Sequence, residues 1–100
     1  EGVVSVRLSR HAVRDLEDIA EFLAKRSVDD PVLVLRAVEA AVMALGEFPF
    51  KGARARFARH RDLRVWTLKG YAIVYRVDRS DVLVVRVVHA ARDIDALLDL

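Results

Sequence analysis

Apolar positions along the chain change period more than once. Val3 to Leu8 is a short run rich in β-branched residues, the composition of a strand, and Ser9 after it has the side chain of a helix N-cap. From Arg10 to about Lys25, Ala12, Leu16, Ile19 and Leu23 recur at spacings of four, three and four, while Asp15, Glu17, Asp18 and Glu21 fall on other faces. That spacing predicts an amphipathic helix with an acidic exterior. Asp29-Asp30-Pro31 offers a cap followed by proline at the first helical position, where a missing N–H costs nothing, and an apolar-rich run continues to Leu45 before Gly46. A second helix follows, and the short Arg26 to Asp29 connection predicts an antiparallel hairpin of the two.

Phe48-Pro49-Phe50-Lys51-Gly52 stops this helix and opens a segment without clear period, read as a loop with one helical turn around Arg56 to Arg59. The period then becomes two. Asp62 to Leu68, Tyr71 to Val77 and Val82 to His89 are rich in Val, Ile, Tyr, Trp and Thr, and Lys69-Gly70 and Asp78 to Asp81 separate them. They predict a three-stranded antiparallel meander, with Ala91 to Leu98 as a short closing helix. The predicted fold class is α+β over a single domain, residues 1–100: an N-terminal strand, an antiparallel helix hairpin, the meander and the C-terminal helix, arranged as a helical layer on a sheet.

Composition narrows the function classes. The chain has 100 residues, 54% of them hydrophobic, enough for one domain with a real core and against intrinsic disorder. Arg or Asp interrupts every apolar run well short of the roughly 18 residues a membrane span needs, so no membrane association is expected. The absence of cysteine removes disulfides and thiolate chemistry and fits a reducing, cytoplasmic setting. Three histidines, at 11, 60 and 89, have no ligand spacing, and GxSxG, P-loop and GxGxxG patterns are missing. Neither metal nor cofactor is expected.

Charge is distributed unevenly. Net charge is only +2, from 17 basic and 15 acidic residues, and all but three of the basic residues are Arg. Between Lys51 and Arg64 lie Lys51, Arg54, Arg56, Arg59, Arg61, Arg64 and His60 against one acid, Asp62. Arginine favours planar, bidentate contacts, so a polyanion or an acidic protein partner is implied. With a three-residue loop at Leu68 to Gly70 and a four-residue loop at Asp78 to Asp81, alternation places Arg64, Trp66, Arg76 and His89 on one sheet face, with Arg92 just beyond. Leu63, Val65, Ile73, Tyr75 and Val84 fall on the other, which reads as core. Arg86, on that core face, is expected to pair with Asp15 or Asp18 of the first helix.

Read in order, Leu8-Ser9, Ala12, Asp15-Leu16, Ile19, Phe48-Pro49 with Gly52, Leu63-Arg64, Gly70-Tyr71, Val74-Tyr75-Arg76-Val77 and the closing Arg86-Val87-Val88-His89 with Arg92-Asp93 resemble the ParE branch of the RelE/ParE toxins, over about residues 6 to 98. The resemblance implies the toxin half of a type II toxin–antitoxin pair and a cognate antitoxin, expected to be acidic and to fold on binding. ParE-like members poison DNA gyrase; RelE-like members cleave messenger RNA on the ribosome. In the second case the resemblance places Arg92 on a catalytic arginine and Lys69 near another basic position, with His89 and Arg64 completing the set, but Leu98 stands where a late catalytic tyrosine belongs. A non-enzymatic gyrase inhibitor is therefore the favoured expectation, a ribosome-dependent ribonuclease the alternative, and a general nucleic-acid-binding module a third. The residues expected to touch target or antitoxin are Arg54, Arg56, Arg59, Arg61, Arg64, Trp66, Arg76, His89 and Arg92.

Overall fold

The computed structural model of the chain describes residues 5–25, 31–54, 62–79 and 81–91. Its elements are β1 (Ser5–Leu8), α1 (Arg10–Ala24), α2 (Pro31–Ala44), β2 (Ala53–Arg54), β3 (Leu63–Leu68), β4 (Tyr71–Asp78) and β5 (Asp81–His89). Together they make the expected α+β architecture of two helices on a sheet. The five strands lie in the order β1-β5-β4-β3-β2, with β1 parallel to β5 and the other neighbours antiparallel. The predicted closing helix at Ala91 to Leu98 and the helical turn around Arg56 to Arg59 lie outside the described residues. The start of the basic segment is not loop: Ala53 and Arg54 form a short edge strand on β3.

Ser9 caps α1 as its hydroxyl predicts. Its Oγ accepts from the Ala12 N–H at 3.0 Å and donates to the Val85 carbonyl at 2.7 Å, so one side chain both starts the helix and ties it to β5. The buried stripe of α1 is Ala12, Asp15, Ile19 and Leu23, with Leu16 only partly covered. Asp15 therefore does not belong to the acidic exterior; it faces the sheet. Val38, Val42 and Leu45 close the core from the α2 side against Tyr71, Ile73, Tyr75, Val82, Val84 and Val87.

Register overturns the expected sorting of the sheet faces. Leu68 pairs with Tyr71, so the β3–β4 hairpin has two loop residues, Lys69 and Gly70, rather than three. Both have positive φ, 54° and 84°, as a turn matched to the strand twist requires. A β-bulge between Val74 and Tyr75 then pairs Tyr75 with Val84 but Val74 with Arg86, leaving Val85 as the extra residue. Each change shifts parity by one. Consequently Arg64, Trp66 and His89 lie on the helix-facing side with Tyr71, Ile73 and Tyr75, whereas Arg76 lies on the opposite side with Leu63, Val65 and Val74. That opposite side is not an open site either, for Leu63, Ala72, Val74 and Val88 are all buried.

Candidate functional site

Two clusters emerge at opposite ends of the helix-facing surface. The first forms where α2 runs into β2. Phe48 donates its N–H to the Ala44 carbonyl and Lys51 to the Phe48 carbonyl, folding residues 48–51 into a tight elbow. Gly52 locks the elbow to the sheet: its N–H donates to Tyr75 Oη at 2.8 Å, and its carbonyl accepts from Arg64 Nη1 at 2.7 Å. Only glycine fits, since a Cβ here would lie 2.8 Å from Tyr75 Cε1, from Tyr75 Oη and from the Val65 carbonyl oxygen. Tyr75 is fully buried, and burial pushes its phenol above the ordinary tyrosine value. The bond from Gly52 and the nearby Arg64 charge oppose that shift without cancelling it.

Outside this lock stands an aromatic and cationic surface. Phe48 and Phe50 are 60% and 64% exposed, and with Pro49 and Lys51 they line a shallow apolar hollow. Arg64 Cζ lies 4.9 Å from the Phe50 ring centroid, and Lys51 Nζ lies 4.4 Å from that of Trp66. Such stacking is worth about 0.5–1 kcal/mol at exposed sites and holds the charges at defined positions. Trp66 itself is half-buried and packs on the core, which is the packing role its size suggests. Arg54 is exposed on β2 directly opposite Arg64. Phe48 and Phe50 read as no more than a helix stop in the sequence. Their signal was two phenylalanines flanking a proline where no further apolar period could bury them.

The second cluster lies at the far end of the sheet. His89 pairs with Tyr71 across β4 and β5, their rings edge to face at 5.7 Å. The Ala90 N–H donates to the Gly70 carbonyl at 2.8 Å, which brings the Lys69-Gly70 turn to the same end. His89 Nδ1 accepts from the Ala91 N–H at 3.3 Å. Beside it, α1 and β5 enclose a cleft of about 540 Å³ lined by Asp15, Asp18, Phe22, Tyr71, Arg86 and His89 among others. Of the two lining acids expected to pair with Arg86, Asp15 does so, with Nε to Oδ2 at 2.7 Å and Nη2 to Oδ1 at 2.9 Å. Through that bond the Arg86 guanidinium is held above its already high ordinary value.

The predicted site thus divides. Arg54, Arg64 and Trp66 gather at the elbow, His89 and Lys69 sit at the opposite end, and Arg76 is on the other face. Arg56, Arg59, Arg61 and Arg92 lie outside the described residues. From His89 to Arg64 the sheet runs four residues along β4, roughly 13 Å at strand rise, and two strands across. Among the described residues no three His, Asp or Glu side chains come together as metal ligands would, and no helix is long and apolar enough to cross a membrane.

A helix pair laid on a five-stranded sheet, with basic and aromatic side chains along one margin, defines a small α+β domain of the toxin type. The model of the family described as the ParE toxin of the type II toxin–antitoxin system parDE matches residues 6–94, and the chain belongs to that family, within the RelE/ParE superfamily. A putative toxin, Y4kP of Sinorhizobium fredii, is 33% identical over 85 residues, covering 85% of this chain and 86% of that protein. Among solved structures, the chromosomal ParDE system from P. aeruginosa has a similar fold at a TM-score of 0.71 and 17% identity, over 87% of this chain and 96% of that one. The RelBE2 toxin–antitoxin complex from Mycobacterium tuberculosis follows at 0.66 and 24% identity, over 88% and 99%. The chain is a toxin of a type II toxin–antitoxin system.

Proposed function

We propose that this toxin acts in the cytoplasm by binding and inhibiting DNA gyrase, without cleaving RNA, and that a cognate acidic antitoxin neutralises it. One observation carries the choice of target: among the described residues assigned to RNA cleavage, Arg64 stands apart from His89 and Lys69. Attack by a 2′-hydroxyl needs a proton acceptor and a cation at the same phosphate. His89 Nδ1 already accepts the Ala91 N–H, and Arg64 is turned to the Gly52 carbonyl, roughly 13 Å away along the sheet. Leu98 in place of a late tyrosine supports the same reading. The elbow, with apolar rings between fixed cations, has instead the makeup of a protein-binding surface, where aromatic residues and arginine concentrate. The parDE family and the ParDE neighbour support a partner antitoxin.

The ribonuclease reading keeps one observation in its favour, the proximity of His89 to the Lys69-Gly70 turn. Purified toxin in a reaction holding only gyrase, ATP and plasmid is expected to block supercoiling, and charge neutralisation at Arg54, Arg56 and Arg59 to weaken the block. No effect on supercoiling, with defined cuts in ribosome-bound messenger that His89→Ala or Arg92→Ala abolishes, would make the chain an enzyme.

A further inference from the structure

We infer that the Phe48–Gly52 elbow, framed by Lys51, Arg54 and Arg64, is the seat of a neutralising antitoxin segment that carries an aliphatic or aromatic anchor flanked by carboxylates. The inference rests on the reading that an antitoxin holds this chain and is independent of gyrase as the target. Three observations converge on it. First, two phenylalanines on a four-residue stretch are more than half exposed above an apolar hollow, and Met43 at the end of the helix leading into the elbow is 66% exposed. Isolated exposed apolar residues need no account, whereas a contiguous patch rimmed by charge marks an interaction site.

Second, the backbone beneath the patch is tied to the sheet. The buried Tyr75 hydroxyl and the Arg64 guanidinium hold both polar backbone groups of Gly52, and Arg64 and Lys51 each lie over a ring. A partner meets a backbone already held in place and Phe50 already stacked under Arg64, and loses less conformational entropy on binding. Third, among the described residues the cations lack counterions. Arg54 and Arg64 are direct cross-strand partners, an arrangement that like charges disfavour, and among the described residues no carboxylate pairs with Lys51, Arg54 or Arg64. Carboxylates arriving with a partner relieve that repulsion and form charge-assisted bonds.

An acidic peptide fits better than a nucleic acid. Phe50 and Trp66 each already present a face to a cation, and the rest of Trp66 packs on the core, so successive bases have no ladder of free rings. A segment seated on the elbow also lies over Arg54, and its binding there would cover one of the arginines assigned to target contact.

The test is calorimetry of the full chain with its purified antitoxin, on wild type and on Phe48→Ser, Phe50→Ser and Lys51→Glu. Each variant's own thermal melt and its gyrase inhibition are recorded alongside. Expected is a loss of antitoxin affinity of about tenfold or more for each variant, as for anchor residues at other interfaces, at unchanged melting temperature. Wild-type affinity in the three variants overturns the inference, as does loss of gyrase inhibition with antitoxin affinity intact, which would assign the elbow to the target. Tight binding of a single-stranded oligonucleotide that Phe50→Ser abolishes overturns it also. If wild-type toxin fails to inhibit gyrase, the target reading falls while the antitoxin affinities still decide the elbow.

Discussion

Asp15 accepts from both the Arg86 guanidinium and the Val87 N–H, at 2.7 to 2.9 Å, with side-chain exposures of 11% for Asp15 and 14% for Arg86. Removing one partner of such a pair strands a charge where water reaches poorly. Arg86→Ala is expected to lower the unfolding free energy by about 3 kcal/mol, seen as a lower urea midpoint at unchanged slope. The double replacement Asp15→Leu with Arg86→Met should recover only part of the loss: no charge is then left buried, but the buried Val87 N–H loses its acceptor. Tyr75 gives a different signature. Its folded value is raised by burial, so the stability it contributes is complete below the ordinary tyrosine value of about 10 and is lost as pH rises through the folded value. Tyr75→Phe should flatten that alkaline decline while costing about 1–3 kcal/mol at neutral pH, since the Gly52 N–H loses its acceptor. Urea midpoints between neutral and strongly alkaline pH, for the wild type and this variant, check both parts.

Among the elements, the strands and helices follow the local pattern closely, and their junctions do not. The α1 spacing and the Ser9 cap are visible because a helix start satisfies its own backbone within a few residues. Turn length is less legible: Lys69-Gly70 admits a two- or a three-residue loop, and the shorter one requires lysine to adopt φ of 54°. Lysine has no means of easing that conformation, whereas asparagine does. Lys69→Asn should therefore stabilise the hairpin by about 0.5–1 kcal/mol, read as a rise in melting temperature. The bulge at Val74/Tyr75 was invisible, because inserting one residue into β5 leaves its valine-rich composition unchanged while reversing the side chains that follow. The unbroken apolar run from Tyr71 to Tyr75, all buried in the structure, did hold a clue. An unbroken buried run means that both faces are covered, not that one is open.

For the whole molecule, a net charge of +2 hides a division between acidic residues on α1 and basic residues along β2, β3 and the segment that joins them. That division is what the proposed acidic partner would use, and it could be read from the order of residues alone. The sequence by itself determined the α+β class, the helix pair, the strands of the meander and membership of the toxin superfamily, because periodicity, caps and motif order are local properties; for Arg86 it left Asp15 and Asp18 open, and the structure chose Asp15. The tertiary structure alone decided which side chains share a surface. One turn residue and one bulge, each of which inverts every position beyond it, kept Arg64, Trp66 and His89 on one face but moved Arg76 to the other. The elbow was also a tertiary decision: Gly52 acquires its role from Tyr75 and Arg64, 23 and 12 residues away along the chain, whose hydrogen bonds anchor to the sheet the stretch that carries the exposed Phe48 and Phe50.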